Sequence, residues 1–590
     1  MTAARTGGGV LVGIDLRGIQ AYVYSGQRVL DAVGRAAQVE GFVDTGSPDG
    51  VGALLGPGTK VLRSAGGALT VDFADEEAAR EFVSRYTRHV RERTDDLVPV
   101  VALARYGPGR EFAGPAEAHQ GLPDLLRRAR AWQSAAHTPV RGYGITAVCS
   151  VSGRPAEVVD PSRGDGAAGE RVSADVARAR DLGRRWHRRI TERLLAGVPA
   201  PHGGGWTLPV EVDQMGRDPA GRGRVAVVHL DFNGMGERLA GHGREAADRL
   251  GERAAVRAQR EVSRAIAALT EGLARELVGA VARAVRVDDR GVPVVRGHGA
   301  GGVLALSVAD GRIRLPLRPL VVAGDELTLV CDARLAFSLV RHAFRWLDAD
   351  PRRLPAADVR ARLHRAYLAL ADPGGGQDPL RHADEVLGWA RWTGPEEDEY
   401  ATLVPTLGAG LAVQPVRAPL VLGYRLSAAL CAEAKAERAR WLAEEGGDDH
   451  AVAWTLRADG VERVVRALRE AHAVRGSGRP SGQPMSGWEF TDFLDRYLSG
   501  DREGSLRRGD AAQRSWIRSE LVPLLERDGD LAAERVRRAR RGPGPRLLLP
   551  AADGGRRARG LLLDAVELLD LHLDVPLERG GTGEEADGRT

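Results

Sequence analysis

Cysteine is scarce in this chain of 590 residues: Cys149, Cys331 and Cys431 are the three, far apart along the sequence. That excludes a disulfide framework and any cysteine-rich zinc ribbon. No apolar run approaches the ~18–20 residues that cross a bilayer. The first residues, MTAARTGGG, lack the charged-then-apolar pattern of a signal peptide. The expectation is a soluble, cytoplasmic protein that meets no membrane. Net charge is small, +4 at pH 7 from 84 basic and 80 acidic side chains, so the signature of a polyelectrolyte partner is missing too. Lysine is rarer still, because Lys60 and Lys435 are the only two among those 84. A lysine kept where arginine otherwise serves can do what a planar guanidinium cannot, such as sit as a compact charge beside a phosphate. Two survivors are equally compatible with chance.

One hydrophobic core stops growing at roughly 250–300 residues, so a chain of this length predicts several packed units. VLVGIDL (10–16) has the β-branched, apolar character of a buried strand. A helix over about 26–40 follows, then a strand–turn–strand around SAGGALTVDF (64–73), a helix over 75–95 and a strand at LVPVVALA (97–104). That order, β-α-β-β-α-β, predicts a ferredoxin-like domain. It recurs at larger size from about 221: strand VAVVHLD (225–231), a long helical region (237–286), two apolar runs joined by a tight turn in RPLVVAGDELTLVCD (318–332), a helix (333–348), helical insertions (355–371 and 379–394), strand GAGLAVQ (408–414), a helix (420–443) and strand AVAWTLRA (451–458). Two units with one order suggest a duplication.

The expected fold class is therefore α+β, with two ferredoxin-like units plus a helical linker region and a C-terminal helical bundle. The expected divisions are 1–105, 106–220, 221–460, 461–578 and a disordered tail, 579–590. RGSGRPSGQPMSG (475–487) reads as a flexible linker.

Chemistry concentrates in the second unit. Strand VAVVHLD ends in Asp231, followed by Phe232, Asn233, Gly234, Met235 and Gly236 and then a helix; AGDE places Asp325 and Glu326 in a hairpin turn after Gly324. The topology makes that strand and that hairpin neighbours, so Asp231 can face Asp325. Carboxylates so placed form a hard-oxygen site suited to Mg2+ or Mn2+, with phosphates supplying further ligands. A pair of such ions roughly 3.5–4 Å apart would activate a hydroxyl for attack on an α-phosphate. Gly234 and Gly236 open a loop at a helix start, where N–H groups hold phosphate. Singly, Asp231 reads first as a helix cap and Asp325-Glu326 as an ordinary polar turn; it is their joint placement that favours a site. His229 on the same strand face reads as a satisfied core group. The arginine run RVRRARRGPGPR (535–546) reads either as an RNA contact or as a solvated helix face.

VVHLDFNGMG, VVAGDELTLVCDARLAFSLV and PLVLGYRLSAALCAEAKAERAR resemble the palm domain of GGDEF-type nucleotidyl cyclases. They resemble still more the large polymerase subunit of type III CRISPR complexes, which makes cyclic oligoadenylates from ATP. IDLRGIQAYVY is similar to that subunit's first palm and CSVSGRPAEVV to a segment between its palms.

The resemblance implies a nucleotidyltransferase with Asp231 and Asp325 as metal ligands, Glu326 where a second aspartate is usual, and the Phe232 carbonyl completing a shell. It further implies Lys435 on the triphosphate, Asn233 at the ribose or the loop backbone, and Met235 and Gly324 among the nucleotide-binding positions. Partners would be ATP, with GTP as the alternative, a CRISPR RNA–protein complex or a nucleotide-sensing effector. In the first unit the turn reads SAGGAL without an acidic pair, so Ser64 and Gly66 would line an acceptor pocket and Asp15 would be a structural cap.

The chain departs from that family in its turn, AGDE rather than GGDD. It also departs in having no His-Asp nuclease domain ahead of the first palm, which implies a reduced form, and in having no four-cysteine zinc knuckle. Two other readings stand beside the ATP cyclase: a palm scaffold that binds nucleotide or RNA without turnover, and a GTP-using cyclase.

Overall fold

The computed structural model describes residues 8–26, 28–46, 50–56, 59–94, 97–136, 144–161, 169–215, 223–236, 252–299, 301–349, 355, 358–361, 405–445, 448–472, 479–500, 505–508, 515–526 and 556–577. Helices and sheets are both extensive, as an α+β chain requires. The first unit runs β1 (Gly9–Arg17), α1 (Ile19–Val23), α2 (Val29–Gly41), β2 (Lys60–Ala65), β3 (Ala68–Phe73), α3 (Glu76–Arg91) and β4 (Val98–Tyr106). Its four strands lie in the order β2-β3-β1-β4. β1 is antiparallel to both β3 and β4.

Local sequence explains these elements. Gly66 and Gly67 take φ of +60° and +76°, the values a two-residue hairpin demands and side chains resist. α3 starts where the Asp75 carboxylate accepts the Glu77 and Ala78 N–H groups at 3.2 and 3.0 Å. Glu76 and Glu77 fill its first turn, while Arg88, His89 and Arg91 fill its last, matching the helix dipole. Asp15 is not a cap. It lies inside β1, opposite Ala68 and Val100, and its carboxylate pairs with Arg130. The strand continues two residues past it, and the residue before α1 is Gly18 at φ 78°.

Between the two sheets come α4 (Pro115–Ala136), a short antiparallel pair, Val158–Asp160 with Glu170–Val172, and α5 (Ala174–Leu195). Arg180 of α5 is buried and holds Asp31 of α2 at 2.8 Å, Asp160 at 2.9 Å and Glu170 at 2.8 Å. Three carboxylates around one fork compensate the desolvation of the guanidinium.

The second unit repeats the path with β5 (Arg224–Phe232), α6 (Glu252–Ala284), β6 (Leu317–Ala323), β7 (Glu326–Asp332), α7 (Ala336–Asp348), β8 (Leu407–Pro415), α8 (Leu420–Glu445), β9 (Ala451–Thr455), α9 (Val461–His472) and β10 (Met485–Ser486). The order is β6-β7-β5-β8-β9-β10, so β5 again lies between the hairpin and the next strand. Pro319, which has no N–H to donate, falls on the edge strand β6 at a register shift.

Two differences from the sequence reading have physical causes. Residues 285–314 fold into strands of two to four residues, among them Val285–Val287, Pro293–Arg296 and Val303–Ala305, which are too short to show a period. Of the expected linker 475–487, residues 479–487 are packed rather than flexible. The Gly482 N–H donates to Asp564 at 2.8 Å, Gln483 Oε1 accepts the Trp454 N–H at 2.6 Å, and Met485–Ser486 extends the sheet as β10. A Cβ on Gly482 would stand 2.4 Å from Leu561, so that glycine answers to packing. Most of the insertions expected at 355–371 and 379–394 lie outside the described residues, as do 237–251, the run 535–546 and the tail 579–590.

β5 sorts its side chains by the two-residue period of a strand. Ala226, Val228, Leu230 and Phe232 enter one core with α6, α7 and the C-terminal helices α10 (Gly487–Phe493) and α11 (Arg556–Leu568). Val225 and Val227 face the other way, into a core shared with β1, α2, α3 and Tyr424 of α8. His229 and Asp231 lie on this second face, which is turned toward the first unit. Among the described residues, no helix is long and apolar enough to cross a membrane.

Candidate active site

Asp231 stands at the end of β5, directly opposite Glu326 on β7 and Gly408 on β8. Residues paired across an antiparallel ladder share a face, so Asp231, Glu326 and Gly408 all point toward α8 and the first unit. Asp325 sits in the two-residue turn between β6 and β7, after Gly324 at φ 58°. Its carbonyl accepts the Phe232 N–H at 3.1 Å, which ties the turn to the end of β5. The Thr270 hydroxyl of α6 holds the turn from the other side through the Gly324 carbonyl, at 2.6 Å. Backbone bonds thus fix both aspartates at one sheet end.

Lys435 arrives from α8. Its ammonium lies 2.9 Å from Asp231 Oδ2 and donates to the Phe232 carbonyl at 2.9 Å. Gly408 makes that possible, since a Cβ there would stand 2.6 Å from Lys435 Cγ and 2.9 Å from Cε. Two residues on, a Cβ at Gly410 would be 1.9 Å from the Ser427 carbonyl oxygen, so this pair of glycines lets α8 lie directly on β8. One helical turn beyond Lys435, Arg438 Nε bonds Asp448 at 2.6 Å; Asp448 accepts the Thr406 hydroxyl at 3.1 Å, and Thr406 accepts the Asn233 amide at 2.8 Å. The Asn233 amide nitrogen is therefore held by the loop, while its Oδ1 is buried without a hydrogen-bond partner among the described residues. Phe232 buries its ring and offers only its carbonyl. Met235 is buried, whereas a Cβ on Gly236 would meet open space and Gly234 takes φ +67°.

Glu326 shares the face of Asp231 and feels its charge. Its carboxylate accepts the Thr328 hydroxyl at 3.1 Å and lies 3.5 Å from His229 Nδ1, while His229 bonds the same Thr328 hydroxyl at 2.9 Å. Burial, reinforced by the charges of Asp231 and Asp325 and opposed by Thr328, pushes the Glu326 carboxyl up to about 7. Asp325 is raised as well, by burial first and then by Asp231. His229 is pushed down to about 4 by burial and by Lys435, which leaves it a neutral, satisfied core histidine. Tyr24 of the first unit stacks on Tyr424 of α8, ring centroids 3.9 Å apart, and His229 meets Tyr424 edge-on at 5.7 Å. Arg63 of β2 adds positive potential at Asp325 from across the boundary.

The structure thus brings together Asp231, Asp325, Phe232, Gly324 and Lys435. Ser64 and Gly66 lie on the first unit: the Ser64 hydroxyl bonds the Val43 carbonyl at 2.5 Å, and Gly66 forms the β2–β3 turn with open space around it. The sequence reading missed Tyr24, Thr270, Thr328, Thr406 and Gly408. Only the alternating glycines of GAG carried a signal, that of close backbone approach.

The donor set suits a divalent cation. Two aspartates and a carbonyl are hard oxygens, and the Lys435 ammonium is a stand-in cation already lying against two of the three groups. One Glu326 oxygen is already held by Thr328, and no group of three or more His, Cys, Asp or Glu residues placed to hold a metal occurs among the described residues.

No protein-family model matches the chain, and no curated protein matches it. Among solved structures it is similar to a Csm1-Csm4 cassette in complex with cA3, with 16% identity and a TM-score of 0.42 over 95% of this chain and 70% of that one. The same cassette in complex with pppApApA gives 15% and 0.43 over 96% and 70%. A Csm1-Csm4 subcomplex in the type III-A CRISPR-Csm interference complex gives 15% and 0.35 over 96% and 72%.

Proposed function

We propose that the chain is a nucleotidyltransferase that builds a cyclic oligoadenylate from ATP, in a CRISPR RNA–protein complex or a related antiviral defence, for a nucleotide-sensing effector. In this reading the two β-α-β-β-α-β units are ferredoxin-like palm domains. The first (1–105) is without an acidic pair and the second (221–460) would carry the chemistry; 106–220 would connect them, and the largely helical 461–578, which adds β10 to the second sheet and packs α10 and α11 into its core, would precede the tail 579–590. One observation carries the reading: two aspartates and one of the two lysines of the chain converge at the same end of the second sheet.

Asp231, Asp325 and the Phe232 carbonyl would hold Mg2+ or Mn2+. The bound ion supplies charge that neutralises phosphate oxygens and makes a hydroxyl more acidic. The chain's own groups do the rest. Lys435, on a long flexible stem, can leave Asp231 for a triphosphate. Gly234 and Gly236 keep side chains out of the loop through which phosphates approach. Ser64 and Gly66 lie on the unit that would present an acceptor nucleotide. A ribose hydroxyl of that nucleotide attacks the α-phosphorus of its neighbour; the new P–O bond forms as the bond to pyrophosphate breaks, and the hydroxyl proton leaves to solvent. Positioning and charge are the main contributions of the protein.

Chromatography of the products formed from ATP, and separately from GTP, with Mg2+ or Mn2+ tests this. Cyclic adenylates with released pyrophosphate are expected, and turnover of GTP alone would replace ATP as substrate. A second reading, a scaffold that binds nucleotide or RNA without turnover, is favoured by the engagement of Glu326 with Thr328 and His229. Binding of ATP with no conversion under either metal would support it.

A further inference from the structure

Lys435 lies on the two oxygens, Asp231 Oδ2 and the Phe232 carbonyl, that a divalent ion would use, at 2.9 Å from each. We propose that Lys435 is a tethered counter-ion that closes the cation site of the nucleotide-free protein, so that a divalent ion enters only when a triphosphate draws the ammonium away. The inference rests on the proposed cation site and concerns the order in which that site fills.

Three features of the structure support a resident ammonium over a casual surface pair. The stem has a passage made for it over Gly408, the residue in register with Asp231, where any Cβ would collide with Lys435 Cγ and Cε. The ammonium makes two contacts rather than one, and the second is to a backbone carbonyl that side-chain motion cannot withdraw. Its helix is anchored one turn further on, by the buried pair of Arg438 and Asp448. Both Lys435 and Asp231 nevertheless remain part-exposed, at 26% and 31%, so the ammonium can reach solvent or an arriving phosphate without unfolding anything. A cation and an ammonium cannot share these oxygens, because like charges at such separations repel strongly in a partly buried site. Binding of the metal and of a triphosphate that takes over Lys435 must then help one another, by the same factor in each direction.

The test uses Mn2+ as the probe, followed by electron paramagnetic resonance, with the whole chain as wild type, Lys435→Met, and Lys435→Met combined with Asp231→Asn. Thermal unfolding of each variant establishes that it is folded. Lys435→Met is expected to bind Mn2+ at least tenfold more tightly than wild type without nucleotide, and the added Asp231→Asn to abolish the gain. Equal or weaker binding by Lys435→Met would overturn the counter-ion role and leave the proposed function standing. Absence of Mn2+ binding from every form, both alone and with a non-hydrolysable ATP analogue, would overturn the cation site itself, and the proposed function with it.

Discussion

At the scale of single residues, the three carboxylates of the site are not equivalent. Asp231 and Asp325 belong to a strand end and a turn that backbone bonds hold together, whereas one oxygen of Glu326 accepts from Thr328 beside His229. Asp325→Asn should therefore lower release of pyrophosphate from ATP at least a hundredfold with unfolding unchanged, while Glu326→Gln should cost less than tenfold. A loss for Glu326→Gln equal to that for Asp325→Asn would make Glu326 a metal ligand after all. The placement of Asp231 and Asp325 was legible because a strand end and a tight turn are local features, and Lys435 because its helix carries the resemblance and it is one of two lysines. Thr328 and Tyr24 were not, since hydroxyls scattered through apolar runs acquire meaning only from what faces them.

At the scale of elements, the order of strands and helices was legible in both units, because apolar periods and glycine turns are written locally. The seating of α8 on β8 was not. It depends on Gly408 and Gly410, two positions in a strand whose Cβ atoms would collide with Lys435 and with the Ser427 carbonyl. Gly410→Ala sets side chain against backbone and should destabilise the protein by about 1–3 kcal/mol through overpacking, read as a lower denaturant midpoint. Gly408→Ala meets a side chain that can move. It should cost less stability and, by displacing Lys435, should raise Mn2+ affinity in the direction expected of Lys435→Met.

At the scale of the whole molecule, distant segments are joined by buried polar groups with few alternatives. Asp564 of α11 is buried and accepts the Gly482 N–H and the Ser481 hydroxyl, yet burial dominates and pushes its carboxyl up to about 7. An acid with a raised folded-state pKa binds its proton more tightly when folded. Its contribution to stability is complete below the unfolded value near 3.8 and is lost as pH rises through about 7. The melting temperature of wild type relative to Asp564→Asn should accordingly fall between pH 5 and pH 8, and a difference that does not change with pH would refute the assignment. The same long-range joining explains why residues 479–487, rich in glycine and proline, looked like a linker: Ser481 and Gly482 find their partner some eighty residues further on, in α11, while Gln483 and Met485–Ser486 find theirs some thirty residues back, in β9.

The amino-acid sequence by itself determined the two repeated element orders, the acidic turn present in one and missing from the other, and the rarity of lysine, because each is a matter of neighbours along the chain. Only the tertiary structure decided that Lys435 rests on Asp231 and the Phe232 carbonyl, that Glu326 turns to Thr328, and that Tyr24 closes against Tyr424. Those outcomes depend on which charges and rings share a partly dry space, and side chains separated by scores or hundreds of residues enter one such space only when the sheets and helices have packed.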